Sequence, residues 1–224
     1  MRILLFDIDG TLLWTHGGQG ALQVALVQEF GLEAACANIS FAGRTDRSLL
    51  AELLQRNGLP NDTDHLQRLR HRYVSTLPGV LSEQGGKILP GAAELLSRLS
   101  ALPHIRSYVM TGNLEETAAR KLQHFDLLGC IDGIFGGDHD SDRDDLARRS
   151  AATLRERYGP QSLGDAIVIG DTPADVRCGR AIGARVVAVC TGRYDRSELE
   201  AENPMHVEDD LSDVDRLVQL LAHA

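Results

Sequence analysis

Two hydrophobic rhythms alternate along the chain. Short unbroken apolar runs stand at 3–6, 105–110, 166–169 and 185–189, with a weaker one at 131–135. Their length and their Ile and Val content fit strands buried on both faces. Between them, apolar positions recur at helical spacing over 91–100, 115–124, 144–158 and 174–182, and a last amphipathic stretch covers 211–221. Strand–helix alternation with fully apolar strands predicts an α/β fold on a doubly wound, parallel, Rossmann-like sheet.

One segment breaks the rhythm. From 17 to 86 no strand-like run occurs; 21–30, 47–57 and 64–76 read as helices. The turn signals Gly31, Asn57-Gly58-Leu59-Pro60 and Pro78-Gly79 separate them. This predicts an inserted all-helical cap over 16–87, with 1–15 and 88–224 forming the α/β core. The glycine cluster at 17–20 and the stretch 83–87 are the expected hinges, because glycine permits unusual backbone angles.

Bulk properties narrow the partners. The 224 residues carry a formal net charge of −9 without a basic block, which argues against nucleic acid. No apolar run reaches membrane-span length. Cys36, Cys130, Cys178 and Cys190 are scattered without metal-binding spacing, as expected of reduced thiols in a cytoplasmic protein. The first strand begins at residue 2 or 3 and leaves no room for a signal peptide. The glycosylation-type triplets Asn38-Ile39-Ser40 and Asn61-Asp62-Thr63 then carry no weight. No pattern fixes an oligomeric state.

The chemistry is written at the strand ends. The first strand runs into Asp7-Ile8-Asp9-Gly10-Thr11, the second into Thr111-Gly112-Asn113, and a later one into Gly170-Asp171-Thr172-Pro173-Ala174-Asp175. Side chains two apart in a strand share a face, so Asp7 and Asp9 can aim into one volume. Two carboxylates there need a proton or a cation between them. For the first segment alone, the alternative is an Asx turn with solvated acids. Three polar strand ends with different parts, at the edge where open α/β sheets bind ligands, favour a site. The parts suit phosphoryl transfer, which depends on positioning and charge neutralisation. Asp7 and Asp171 suit a hard cation such as Mg²⁺. Thr111 adds a hydroxyl, and the N–H groups of Gly112 and Asn113, at a helix start, suit an anion.

These motifs resemble the haloacid dehalogenase superfamily, whose pattern is Asp-x-Asp-Gly-Thr after the first strand, Ser or Thr after the second, a later Lys or Arg, and Gly-Asp-x-x-x-Asp. The resemblance covers essentially the whole chain and leans toward phosphoglycolate-phosphatase-like members through Gly43-Arg44-Thr45-Asp46 and Pro90-Gly91. It implies that Asp7 is a nucleophile and Asp9 an acid and base. Asp7, the Asp9 backbone carbonyl and Asp171 would hold Mg²⁺ with support from Asp175, and Thr111 would bind the phosphoryl oxygens.

The third motif departs from the family's Lys-Pro. The only lysines, Lys87 and Lys121, do not sit there. Arg143 is the expected cation, with Arg148 as the alternate. Arg44 is the cap residue expected to reach the substrate, with Trp14 and His16 as further neighbours. The expected activity is hydrolysis of a small phosphorylated metabolite. Phosphomutase transfer on the same fold, and a non-catalytic binding module, are the alternatives. Asp9 argues against a dehalogenase, and a cap without lysine argues against a phosphonatase.

Overall fold

The computed structural model describes residues 1–33 and 39–223; Cys36 and Asn38 lie outside them. Six strands form one sheet: β1 (Arg2–Phe6), β4 (Ile105–Met110), β5 (Gly133–Phe135), β6 (Ile167–Gly170), β7 (Arg185–Val189) and β8 (His206–Glu208). Their order is β5-β4-β1-β6-β7-β8, with every pairing parallel. From β1 the chain winds first toward β4 and β5, then crosses to β6, β7 and β8. The reversal places the ligand-binding crevice at the carboxyl end of β1, between β4 and β6.

The alternation of side chains along β1 divides the core. Leu4 and Phe6 face a layer containing Leu95 and Leu99 of α4 (Ala92–Ser100), Leu122 of α5 (Glu115–His124) and Leu217 and Leu221 of α9 (Val214–His223). Ile3 and Leu5 face the opposite layer, with Leu146 and Leu154 of α6 (Arg143–Tyr158) and Val176 of α7 (Pro173–Ala181). All four β1 side chains are fully buried, as the unbroken apolar run requires. Short elements that the apolar runs do not announce include α8 (Arg196–Glu200) and β8.

Helices α1 (Gly17–Phe30), α2 (Asp46–Arg56) and α3 (Thr63–Gln84) enclose an apolar cluster of their own, including Leu22, Leu26, Leu53, Leu69, Tyr73, Leu77 and Leu81. One detail differs from the sequence reading. The expected turn at Pro78-Gly79 is helix: α3 runs through Pro78 to Gln84. A proline inside a helix costs about 3 kcal/mol, but Leu77, Val80 and Leu81 are buried around it, each contributing roughly 1.5–3 kcal/mol. The glycine cluster at 17–20, an expected hinge, forms the first turn of α1. A Cβ on Gly17 would overlap Leu81, and one on Gly20 would stand 2.6 Å from Gln84 Oε1, so these glycines permit close approach of α1 and α3. The block joins the core through an antiparallel ribbon, β2 (Leu13–Thr15) paired with β3 (Gly86–Ile88).

Candidate active site

The sheet delivers three acids to one point. Asp7 follows β1, and its N–H donates to Ile169 O of β6 at 2.9 Å. Asp171 follows β6. Asp175 lies on the first turn of α7, where Thr172 and Asp175 form a capping box. Oxygens of Asp7, Asp171 and Asp175 lie within 4.8 Å of one another, and all three residues are buried. Close backbone approach makes room for them. A Cβ on Gly10, at φ +88°, or on Gly192 of the loop after β7 would overlap the Asp171 carboxylate.

Three carboxylates out of water repel one another. Burial pushes the Asp7 carboxyl up to about 7, aided by Asp175 and Asp9 and opposed by Arg143. Burial, then the charges of Asp175 and Asp7, raise Asp171 well above the usual carboxylate range. The three acids therefore outnumber the one cation that, among the described residues, opposes them, and their donor atoms are hard oxygen throughout. That composition fits a divalent cation such as Mg²⁺.

Arg143 supplies the only guanidinium in the cluster among the described residues. From the first turn of α6 its Nη1 donates to Asp7 Oδ1 at 3.0 Å, and its Nη2 donates to Asp175 Oδ1. Burial alone would lower its pKa, but Asp175 and Asp7 together raise it. Arg148, the alternate, lies on the exposed face of α6, paired with Asp145 and Asp144.

Beside this centre lies a polar row. Asn113 Nδ2 donates to Asp9 Oδ2 at 2.7 Å and to Thr111 Oγ1 at 2.8 Å. Lys121 Nζ donates to both Asp9 oxygens, at 2.7 and 2.6 Å. The sequence reading noted only that Lys121 does not sit at the third motif and gave it no role, yet its side chain is 3% exposed and bound to Asp9. Its signal was position: it lies three residues after Ala118 and beside Leu122, both buried.

The helical block touches the core at the same place. Asp46 N–H donates to Gly112 O at 2.6 Å, and Asp46 Oδ2 accepts from Leu114 N–H at 2.9 Å. Asp46 is a second residue the sequence reading missed. Burial pushes its carboxyl up to about 6, against the Leu114 hydrogen bond and the Lys121 charge. Glu115 N–H, next along, donates to Asp138 Oδ2 at 2.7 Å. The Leu114 and Glu115 N–H groups are thus already occupied. Those of Gly112 and Asn113 remain the expected anion donors, although Asn113 N–H also leans toward Thr111 Oγ1 at 3.3 Å.

A cavity of about 190 Å³ joins these parts; Trp14, His16, Tyr73, Thr111, Gly112 and Arg193 are among its walls. Arg44 also lines it, but its Nη1 is bound to Glu52 Oε2 at 2.5 Å. Arg47 reaches His139 O of the core at 2.6 Å. No helix among the described residues is long and apolar enough to cross a membrane.

Comparison with known proteins agrees with this geometry. Residues 1–183 match the family model for haloacid dehalogenase-like hydrolases. The chain is 30% identical to a phosphoglycolate phosphatase of Rhodospirillum rubrum, over 94% of this chain and 88% of the relative. It is 26% identical to a phosphoglycolate phosphatase of Aquifex aeolicus, over 86% of each. In fold it resembles CbbY from Rhodobacter sphaeroides, solved in complex with phosphate, with a TM-score of 0.71, 16% identity and 95% of each chain covered. A hydrolase from Pseudomonas syringae superimposes with a TM-score of 0.67 at 24% identity, over 99% of each chain. With the strand order, the buried acids and the family match in agreement, the chain is a hydrolase and belongs to the haloacid dehalogenase-like family.

Proposed function

We propose that this enzyme hydrolyses a small phosphate monoester, phosphoglycolate being the first candidate, through an aspartyl phosphate on Asp7. The observation that carries this reading is the Asp7–Asp171–Asp175 cluster facing Arg143 beneath a small cavity. The cavity volume of about 190 Å³ falls below the roughly 300 Å³ where sites for drug-sized ligands begin, which favours a compact ester. The names of the R. rubrum and A. aeolicus relatives direct the choice of substrate.

In this reading Asp7 Oδ attacks phosphorus as the ester oxygen departs, and Asp9 gives that oxygen a proton. Asp9 then takes a proton from water, which attacks the aspartyl phosphate and frees Asp7 and inorganic phosphate. Asp7, the Asp9 carbonyl, Asp171 and Asp175 form the Mg²⁺ site, and bound Mg²⁺ would supply charge neutralisation of the phosphoryl oxygens. Thr111, Gly112 and Asn113 bind the phosphoryl group. Arg143 holds Asp7 in line and adds positive charge where the transition state gains negative charge. The helical block over 16–87 acts as a cap that excludes water, and Arg44 reaches the far end of the substrate when Glu52 releases it.

The test is phosphate release from a panel of phosphorylated small acids and sugars, with and without Mg²⁺. Mg²⁺-dependent release that is best with phosphoglycolate supports the reading. Isomerised sugar phosphate without phosphate release would move it to the phosphomutase alternative.

A further inference from the structure

We propose that Lys121 is the positioning residue for Asp9, a cation given to the acid–base carboxylate just as Arg143 is given to Asp7. The inference rests on the phosphatase reading above, since it assigns Lys121 a task only if Asp9 moves protons.

The geometry is specific. An ammonium has three N–H donors and no acceptor. Lys121 Nζ stands 2.7 Å from Asp9 Oδ1, 2.6 Å from Asp9 Oδ2 and 2.8 Å from Asn113 Oδ1. Three acceptors answer three donors. Asn113 closes the ring by donating through Nδ2 to Asp9 Oδ2. Asp9 is therefore held from two residues of the second motif and its helix, while its own side chain is 41% exposed toward the cavity.

The division of labour explains why two cations are present. Arg143 spans Asp7 and Asp175 and makes no hydrogen bond to Asp9. Lys121 makes none to Asp7. The chain carries two lysines among 23 basic residues, and one of them is buried here. A compact ammonium can serve three converging acceptors, whereas a planar guanidinium fork would spread them. Taking the ammonium out of water is costly unless it is well paired. Here Asp9 and Asn113 supply that pairing, and the same three contacts fix the short Asp9 side chain on the loop after β1. Proton transfer needs the acid within hydrogen-bond reach of the departing oxygen, and displacement by about 1 Å can cost about a hundredfold in rate.

Leaving-group chemistry gives the test. A basic alkoxide needs a proton to depart, and a nitrophenolate does not. Full-length Lys121→Met, with Mg²⁺, is compared with wild type on phosphoglycolate and on p-nitrophenyl phosphate. The quantity compared is kcat/KM, which reports the departure of the leaving group and not the later attack of water common to both esters: the expected loss is about tenfold or more on phosphoglycolate and less than about threefold on the aryl ester. Lys121→Arg should recover part of the loss. In an Asp9→Asn background, adding Lys121→Met should change kcat/KM by less than about twofold, because the carboxylate it positions is gone. This double variant leaves no unpaired carboxylate, so it decides the matter even where Lys121→Met alone folds poorly. Equal loss on both esters, or the full Lys121→Met loss in the Asp9→Asn background, overturns the inference and leaves the phosphatase reading standing. A wild-type protein that hydrolyses neither ester overturns both.

Discussion

Nη1 of Arg143 lies 3.0 Å from Oδ1 of Asp7, and its other terminal nitrogen binds Asp175, with all three side chains buried. A residue at the start of α6 thus reaches the end of β1 and the first turn of α7. Arg143→Ala should cut kcat by about a hundredfold or more, on the scale of losing one preorganised electrostatic donor. Arg143→Lys should restore part, and Arg148→Ala should stay within about threefold of wild type, as expected of exposed ion pairs. Steady-state kinetics on the three variants checks this. A silent Arg143→Ala would remove Arg143 from the site.

Much of this site was legible in the chain because its chemistry is local. Asp7-Ile8-Asp9-Gly10-Thr11 and Gly170-Asp171-Thr172-Pro173-Ala174-Asp175 each put their acids directly after an apolar run, so strand periodicity alone places them. The α/β alternation was equally plain, since fully buried strands cannot hide their composition. Lys121 and Asp46 were not legible, because their partners are remote: Asp9 is 112 residues from Lys121, and Leu114 is 68 from Asp46. On a helix, a buried lysine reads like any exposed one until its partner is known. Pro78-Gly79 failed as a turn signal because packing against α1 outweighed local propensity.

Metal dependence follows from the charge of the cluster. Excess chelator should abolish turnover and added Mg²⁺ should restore it. Without substrate, Mg²⁺ should raise the melting temperature, because binding relieves repulsion among buried carboxylates and favours the folded chain. Calorimetry with and without chelator checks the second effect independently of activity. Full turnover in chelator contradicts the cation assignment.

Proton linkage gives Mg²⁺ binding a defined pH dependence. Without the ion Asp7 keeps its proton up to about 7, and a cation must displace that proton. Apparent Mg²⁺ affinity should therefore weaken as pH falls below about 7, by about tenfold per pH unit for each proton released, with Asp171, also raised, adding to the slope. Isothermal titration at pH 8 and pH 6 measures it. Equal affinity at the two values would show Asp7 already ionised.

Asp46 should depress stability above pH 6. Its folded carboxyl titrates at about 6, and an unfolded aspartate near 4. As pH rises from about 4 to about 6 the unfolded chain releases this proton first, so the penalty develops in that window and is complete above it, with an upper limit of about 3 kcal/mol. Asp46→Asn keeps an oxygen for the Leu114 N–H and carries no charge. It should melt higher than wild type at pH 8, with the advantage shrinking as pH falls from 6 toward 4. A lower melting temperature at pH 8 would mean that the Asp46 charge stabilises the contact between block and core.

The central claim is that Asp7 becomes covalently phosphorylated, and it can be tested on the protein itself. Wild-type enzyme with Mg²⁺ and phosphoglycolate is quenched in acid within the first turnovers, digested and analysed by mass spectrometry. The account predicts a phosphoryl adduct on the peptide carrying Asp7, absent in Asp7→Asn; with p-nitrophenyl phosphate, whose leaving group needs no proton, the adduct should be enriched in Asp9→Asn, where the water step is slowed. Phosphate release at full rate with no adduct on that peptide, or an adduct that persists in Asp7→Asn, would contradict it.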